Sequence, residues 1–149
     1  MLHVTAAFCL IGGSVAAATF NVLAIRSERP SDAAFLLGLI RRALPFIFVG
    51  IAGTFIFGIW LWHEKGYGIG SGWIWGALVL WAAASALGGA GGRSRETARA
   101  LAEKLANAGD TATDEFRAAL RDPRGNGLTA LSLLASFGVL ALMIWKPGA

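Results

Sequence analysis

Charged side chains are missing from four long stretches of this 149-residue chain, residues 2–25, 43–63, 66–92 and 125–145, and crowd into the gaps between them. About 20 helical residues rising roughly 1.5 Å each cross the ~30 Å hydrocarbon core of a bilayer, so every stretch is long enough to span. A soluble helical bundle would instead place a charge about every turn opposite its apolar stripe. A spanning barrel would need alternating segments of roughly 10 residues and about eight of them. The pattern predicts an all-α, integral membrane four-helix bundle in a single domain, with spans near 2–25, 44–63, 73–90 and 127–145.

The gaps have their own organisation. The first span stops before Arg26, Ser27, Glu28, Arg29 and Pro30, and Ser31-Asp32 is placed to cap a short interfacial helix reaching Arg42. Phe35, Leu36, Leu39 and Ile40 form its apolar face, and Pro45 falls in the first turn of the second span, where a missing N–H is harmless. The third span is expected to stop at Gly91-Gly92. Segment 91–126 then reads as a helical hairpin. Ser94 caps its first arm, whose apolar side carries Ala98, Leu101, Ala102 and Leu105, with Glu103 four residues after Arg99. Asn107, Gly109 and Asp110 end that arm, and a second one runs from Thr113 to Leu120 before Pro123.

Composition agrees with the spans: 56% of residues are hydrophobic and 15% charged, with a mean hydropathy of +0.61. The formal charge of +4 is informative through its placement rather than its size. Eleven of the thirteen basic residues lie in the gaps 26–43 and 91–126, which four helices put on one side. The positive-inside rule assigns both gaps to the cytoplasm and both chain ends to the outside, and it removes the reason to expect a nucleic-acid partner. The first span has its arginines after it rather than before, unlike a secretory signal, so a retained N-out helix is expected. Cys9 is the only cysteine, which excludes an intrachain disulfide.

Trp60, Trp62, Trp73, Trp75 and Trp145 all fall at ends assigned to the outer face, and Trp81 alone is mid-span. An anchoring belt accounts for them. So does an aromatic wall around a ligand, for which Trp60, Trp62 and Trp73 are the candidates. Gly12-Gly13, Gly50, Gly53, Gly58, Gly76 and the run Ala82–Gly89 point to close helix packing and carry no chemistry.

Two histidines are the candidate chemistry. His3 begins the first span and His63 ends the second, so antiparallel neighbours place both near the outer face. Three-to-four spacing from His3 passes through Leu10, Ser14, Ala17 and Asn21, a polar face expected to turn inward. Two facing imidazoles suit one metal ion or a haem b iron, with Glu64 as an acceptor behind the ligands; the plainer reading is histidines at a wet helix end with no ligand and Glu64 as a solvated loop residue. A free amino terminus with histidine at position three also suits square-planar copper or nickel. The loop 66–72 lacks the strand and the Lys-Ser/Thr of a phosphate loop, and Ser14, Ser85, Thr129, Ser132 and Ser136 have no paired base. No acid or base lies mid-span, which counts against an ion pump.

Leu2-His3-Val4 followed by Gly12-Gly13, the step Asp122-Pro123, and the ending Leu142-Met143-Ile144-Trp145-Lys146-Pro147-Gly148 resemble the bacterial membrane family catalogued as domain of unknown function 2269. That resemblance implies a small four-helix protein of the bacterial cytoplasmic (inner) membrane. More distantly, the first helix is similar to copper-resistance D-type domains and HemJ-type protoporphyrinogen oxidases, where helix-borne histidines accompany metal or haem. Only His3 matches that pattern, and no span holds the lysine on which HemJ-type proteins rely. Two functional expectations follow. One is a redox-associated protein holding haem b or a metal through His3 and His63. The other is an accessory subunit of a larger respiratory-type membrane complex or a homo-oligomer, with lipid as its main partner and no cofactor.

Overall fold

The computed structural model describes residues 1–66 and 71–146. They form five helices: α1 (Leu2–Arg26), α2 (Pro30–Lys65), α3 (Gly72–Asn107), α4 (Asp114–Leu120) and α5 (Pro123–Trp145). Four helical segments are long and apolar enough to cross a membrane: α1, α2, α3 and the one ending in α5. Large apolar side chains such as Phe46, Val49, Ile56, Val79 and Leu134 point outward, as lipid-facing surfaces do. The glycine-rich turn between α2 and α3 lies largely in 67–70, outside the described residues.

The helices run up and down in two tight pairs, α1 with α2 and α3 with α5, joined mainly along α2 and α3. Glycine makes each pairing close. A Cβ on Gly50 would stand 2.5 Å from the Leu10 backbone nitrogen, and one on Gly91 would stand 2.9 Å from the Gly125 carbonyl oxygen. Between lipid-exposed helices such approach is a main source of attraction, because hydrophobicity distinguishes helix from lipid poorly. One end of the bundle, where α1 starts and α5 finishes, carries Trp60, Trp62, Trp73, Trp75 and Trp145. The opposite end is arginine-rich.

Two expected helix boundaries are absent. Residues 30–42 do not form a separate interfacial helix, since α2 continues through Pro45. An interior proline removes the bond to the Arg41 carbonyl and costs about 3 kcal/mol. Here Ala33, Leu37 and Ile40 are buried on one face against Ala98, Ala102, Phe116 and Leu120, which offsets that cost. Phe35, assigned to the apolar face from sequence, is 64% exposed. Likewise α3 does not stop at Gly91-Gly92. Glycine in a helix costs only about 1 kcal/mol relative to alanine, and Gly91 is the point where α5 crosses. Each of these 36-residue helices is about 54 Å long, so roughly two-fifths of each projects beyond the ~30 Å hydrocarbon.

The projecting ends of α2 and α3 and the short helix α4 build the best-packed part of the molecule, centred on Phe116 at 1% exposure. Ser31 and Ser94, expected as helix caps, serve instead as donors across this end. The Ser31 amide and hydroxyl each donate to Asp110 at 2.7 Å, and the Ser94 hydroxyl donates to Asp122 at 2.6 Å. Thr113 caps α4 through the Phe116 amide, and Asp122 caps α5 through the Arg124 and Gly125 amides. The expected short helix before Pro123 is therefore present, while the arm before it is the end of α3.

Gly50→Ala is expected to lower the unfolding free energy by about 1–3 kcal/mol through overpacking against Leu10. Gly12→Ala, whose Cβ would meet nothing within 4 Å, should not lower it and should raise it by up to about 1 kcal/mol; reversible unfolding in mixed micelles measures both. The Ser31 bonds hold the Asp110 carboxyl below the usual carboxylate range, and the Ser94 and Gly125 bonds do the same for Asp122. Such a group stabilises the fold fully above its unfolded value of about 3.9 and ceases to do so as pH falls through its lowered folded value. Thermal stability should therefore drop below about pH 4, and Asp110→Asn with Asp122→Asn should flatten that acid limb.

Candidate functional site

Because each helix pair is tight and the two pairs touch along one seam, space remains between them. A cavity of about 990 Å³ runs between α1, α2, α3 and α5. Its walls follow helical periodicity, so that α1 contributes His3, Ala7, Leu10, Ser14 and Ala17. This is the face on which sequence spacing put the polar groups of α1. Asn21 continues it, buried, and closes the arginine-rich end by donating to Asn126 of α5 at 2.9 Å.

His3 turns inward as expected. Its ring lies beside the Thr54 backbone carbonyl, and its Cε1 would be 3.3 Å from a Cβ on Gly58, so the missing side chain at 58 makes room for the imidazole. Its Nδ1 is buried with no hydrogen-bond partner among the described residues. His63 is placed differently. It is exposed, does not line the cavity, and lies five residues beyond Gly58, about 140° further round α2. Glu64 is exposed beside it. The structure thus brings His3 to the cavity and leaves His63 and Glu64 on the outer surface. Among the described residues no three metal-ligating side chains cluster. α1 is already helical at Leu2, so a square-planar amino-terminal site would require the first turn to open.

The tryptophans divide into two sets. Trp62 and Trp73 line the cavity, whereas Trp60, at 55% exposure, faces outward with Trp75 and Trp145 as an interfacial belt does. Trp62 meets Trp75 edge-on at 6.2 Å. Deeper in, Trp81 stacks on Phe55 with ring centroids 4.9 Å apart, across the seam between α3 and α2. The Trp81 Nε1 is also buried without a hydrogen-bond partner among the described residues.

The serines have structural employment. Ser85 donates to the Trp81 carbonyl at 2.9 Å, Ser136 to Ser132 at 2.9 Å, and Ser132 across to the Ala84 carbonyl at 2.7 Å. None has a neighbouring base, so nucleophilic chemistry has no support.

Two wall residues went unnoticed in the sequence. Met143 brings a thioether to the tryptophan end, where it reads in sequence as one more apolar residue. Arg95 counts in sequence as a charge of the polar segment, yet it lines the opposite end with its Nε buried and unpaired. Buried polar atoms in folded proteins nearly always have partners. Here three without one, on His3, Trp81 and Arg95, line the same cavity.

Among known proteins, a family model described as "Predicted integral membrane protein (DUF2269)" matches residues 1–147. No curated protein and no solved structure matches the chain.

Proposed function

We propose that this chain, which belongs to the DUF2269 family of predicted integral membrane proteins, is a small redox-associated bundle that holds haem b in the tryptophan end of its cavity. The observation that carries this reading is the His3 Nδ1, buried in the cavity wall without a hydrogen-bond partner among the described residues. A ligating imidazole is usually oriented by a neighbouring polar group, and the Thr54 backbone lies beside the ring. Around His3 the walls are apolar and aromatic, and Lys65 and Lys146 stand at the same end, where carboxylates of a bound group would need cations. Haem supplies one-electron chemistry when bound. His3 would hold the group, Trp62 and Trp73 would flank it, and the apolar wall would keep water away.

Met143, which lines that end of the cavity, is the better candidate for a second ligand. His63 would have to cross from the outer surface of α2. The arginine placement favours a cytoplasmic membrane of bacterial type with both ends of the chain outside.

Protein purified in mild detergent without added cofactor should show a Soret band with reducible α and β bands. His3→Ala should abolish it, Met143→Leu should shift it, and His63→Ala should leave it unchanged. Colourless wild-type protein, or a His3→Ala spectrum identical to wild type, contradicts the reading. Copper without haem would move the site to the amino terminus, and metal-free protein would favour an accessory subunit. For orientation, a carboxy-terminal alkaline phosphatase fusion should be active and a fluorescent-protein fusion dark; the reverse pattern inverts the topology.

A further inference from the structure

Arg95 is the least settled charge in the molecule. Its side chain folds back along α3 toward the membrane, with Nη2 3.9 Å from the Cβ position of Gly92, and it lines the cavity rather than the outer surface. Its Nε is buried with no partner, and no carboxylate pairs with it among the described residues. Glu96, the acid on this part of the wall, is engaged by Arg41 at 3.3 Å and by Arg99 at 2.7 Å. Hydrogen bonding from Arg99 holds the Glu96 carboxyl below the usual carboxylate range. Asp122 is taken by Ser94 and by the amides at the start of α5. This end of the cavity therefore gathers Arg41, Arg93 and Arg95 against a single, already occupied acid.

A half-buried guanidinium whose Nε is buried, with no carboxylate beside it among the described residues, is a favourable place for an anion. The anion's body must be largely apolar, because the wall between Arg95 and the Phe55–Trp81 stack is built mainly from residues such as Leu44, Ile47, Ile51 and Leu133. The distance also fits. Fourteen residues of α3 separate Trp81 from Arg95, about 21 Å along the axis, against roughly 20–22 Å for one leaflet of a bilayer with its headgroup region. A headgroup phosphate at Arg95 would put its chain ends near the Phe55–Trp81 stack.

We propose that the arginine-rich end of the cavity is a site for one anionic phospholipid, its phosphate on Arg95 with Arg93 and Arg41 beside it and its acyl chain between the helix pairs. Arg95 supplies a planar donor fork suited to phosphate. The net positive charge of the cluster selects an anionic headgroup over a zwitterionic one. The site stands apart from His3, at the other end of the cavity, and does not rest on the haem reading.

The test is native mass spectrometry of the full chain in mild detergent, titrated with dioleoyl phosphatidylglycerol or dioleoyl phosphatidylcholine, alongside thermal unfolding. Wild type should retain one phosphatidylglycerol per chain with about tenfold preference over phosphatidylcholine, the scale of one charge-assisted bond. Arg95→Gln should remove the preference while melting no lower than wild type in phosphatidylcholine, since it deletes an uncompensated charge. Arg121→Gln, exposed and away from the cavity, should keep it. Gly89→Leu, whose side chain starts in open space on the cavity wall, should weaken retention of both lipids. His3→Ala should not alter the preference, so failure here and failure of the haem reading are separable. Equal retention of the two lipids by wild type, or an undiminished preference in Arg95→Gln, overturns the proposal. So does inorganic phosphate alone giving the same thermal protection as phosphatidylglycerol.

Discussion

Because Gly50 brings α2 against the backbone of Leu10, and Gly91 brings α3 against Gly125, each helix pair is held more closely than the pairs are held to each other. In lipid that closeness supplies much of the association energy, as apolar side chains gain little by leaving one hydrocarbon environment for another. The consequence is a cleft. Two tight pairs meeting along the α2–α3 seam cannot also interdigitate across the middle, so the space between them is bounded by side chains that do not reach one another. Every candidate function of the molecule lies on that boundary.

What keeps the pairs from drifting apart is concentrated outside the hydrocarbon. The extensions of α2 and α3 converge with α4 on Phe116, and Ser31–Asp110 and Ser94–Asp122 stitch the segments together. Asp110 accepts a left-handed backbone, φ +55°, directly after Gly109 at φ +110°, which lets the chain reverse and present its carboxylate to Ser31. Asn21 and Asn126 add a bond from α1 to α5 at the same end. The bundle is thus closed at its arginine-rich end by ordinary hydrophobic and hydrogen-bonded packing. Toward the tryptophan end it is held by helix contact and by aromatic contacts such as Trp62 on Trp75.

Much of this was legible in the sequence. The absence of charge gave the spans, and the spacing from His3 to Asn21 correctly put the polar face of α1 inward. Boundaries were harder. Pro45 and Gly91-Gly92 read as breaks because their local cost is visible in sequence, whereas the burial of Leu37, Ile40 and Ala98 that offsets it depends on contacts far along the chain. The site was partly legible for the same reason. His3 could be oriented from its own helix. The outward placement of His63 follows from which face of α2 glycine turns toward α1, and the role of Arg95 depends on a rotamer and on acids that prove to be engaged elsewhere. Charge counts cannot distinguish a solvated arginine from one folded back into a cavity.

The most direct test of this architecture is disulfide trapping in membranes, in a Cys9→Ser background. The Cβ of Ser132 lies 3.7 Å from the Cβ position of Gly88, within the range a disulfide requires, whereas Ser14 and Ser136 face the cavity from different helix pairs. The account predicts that Gly88→Cys with Ser132→Cys cross-links readily under mild oxidant, and that Ser14→Cys with Ser136→Cys does not. Quantitative cross-linking of the second pair would mean that the helix pairs close on each other, and that no cavity exists to hold a ligand.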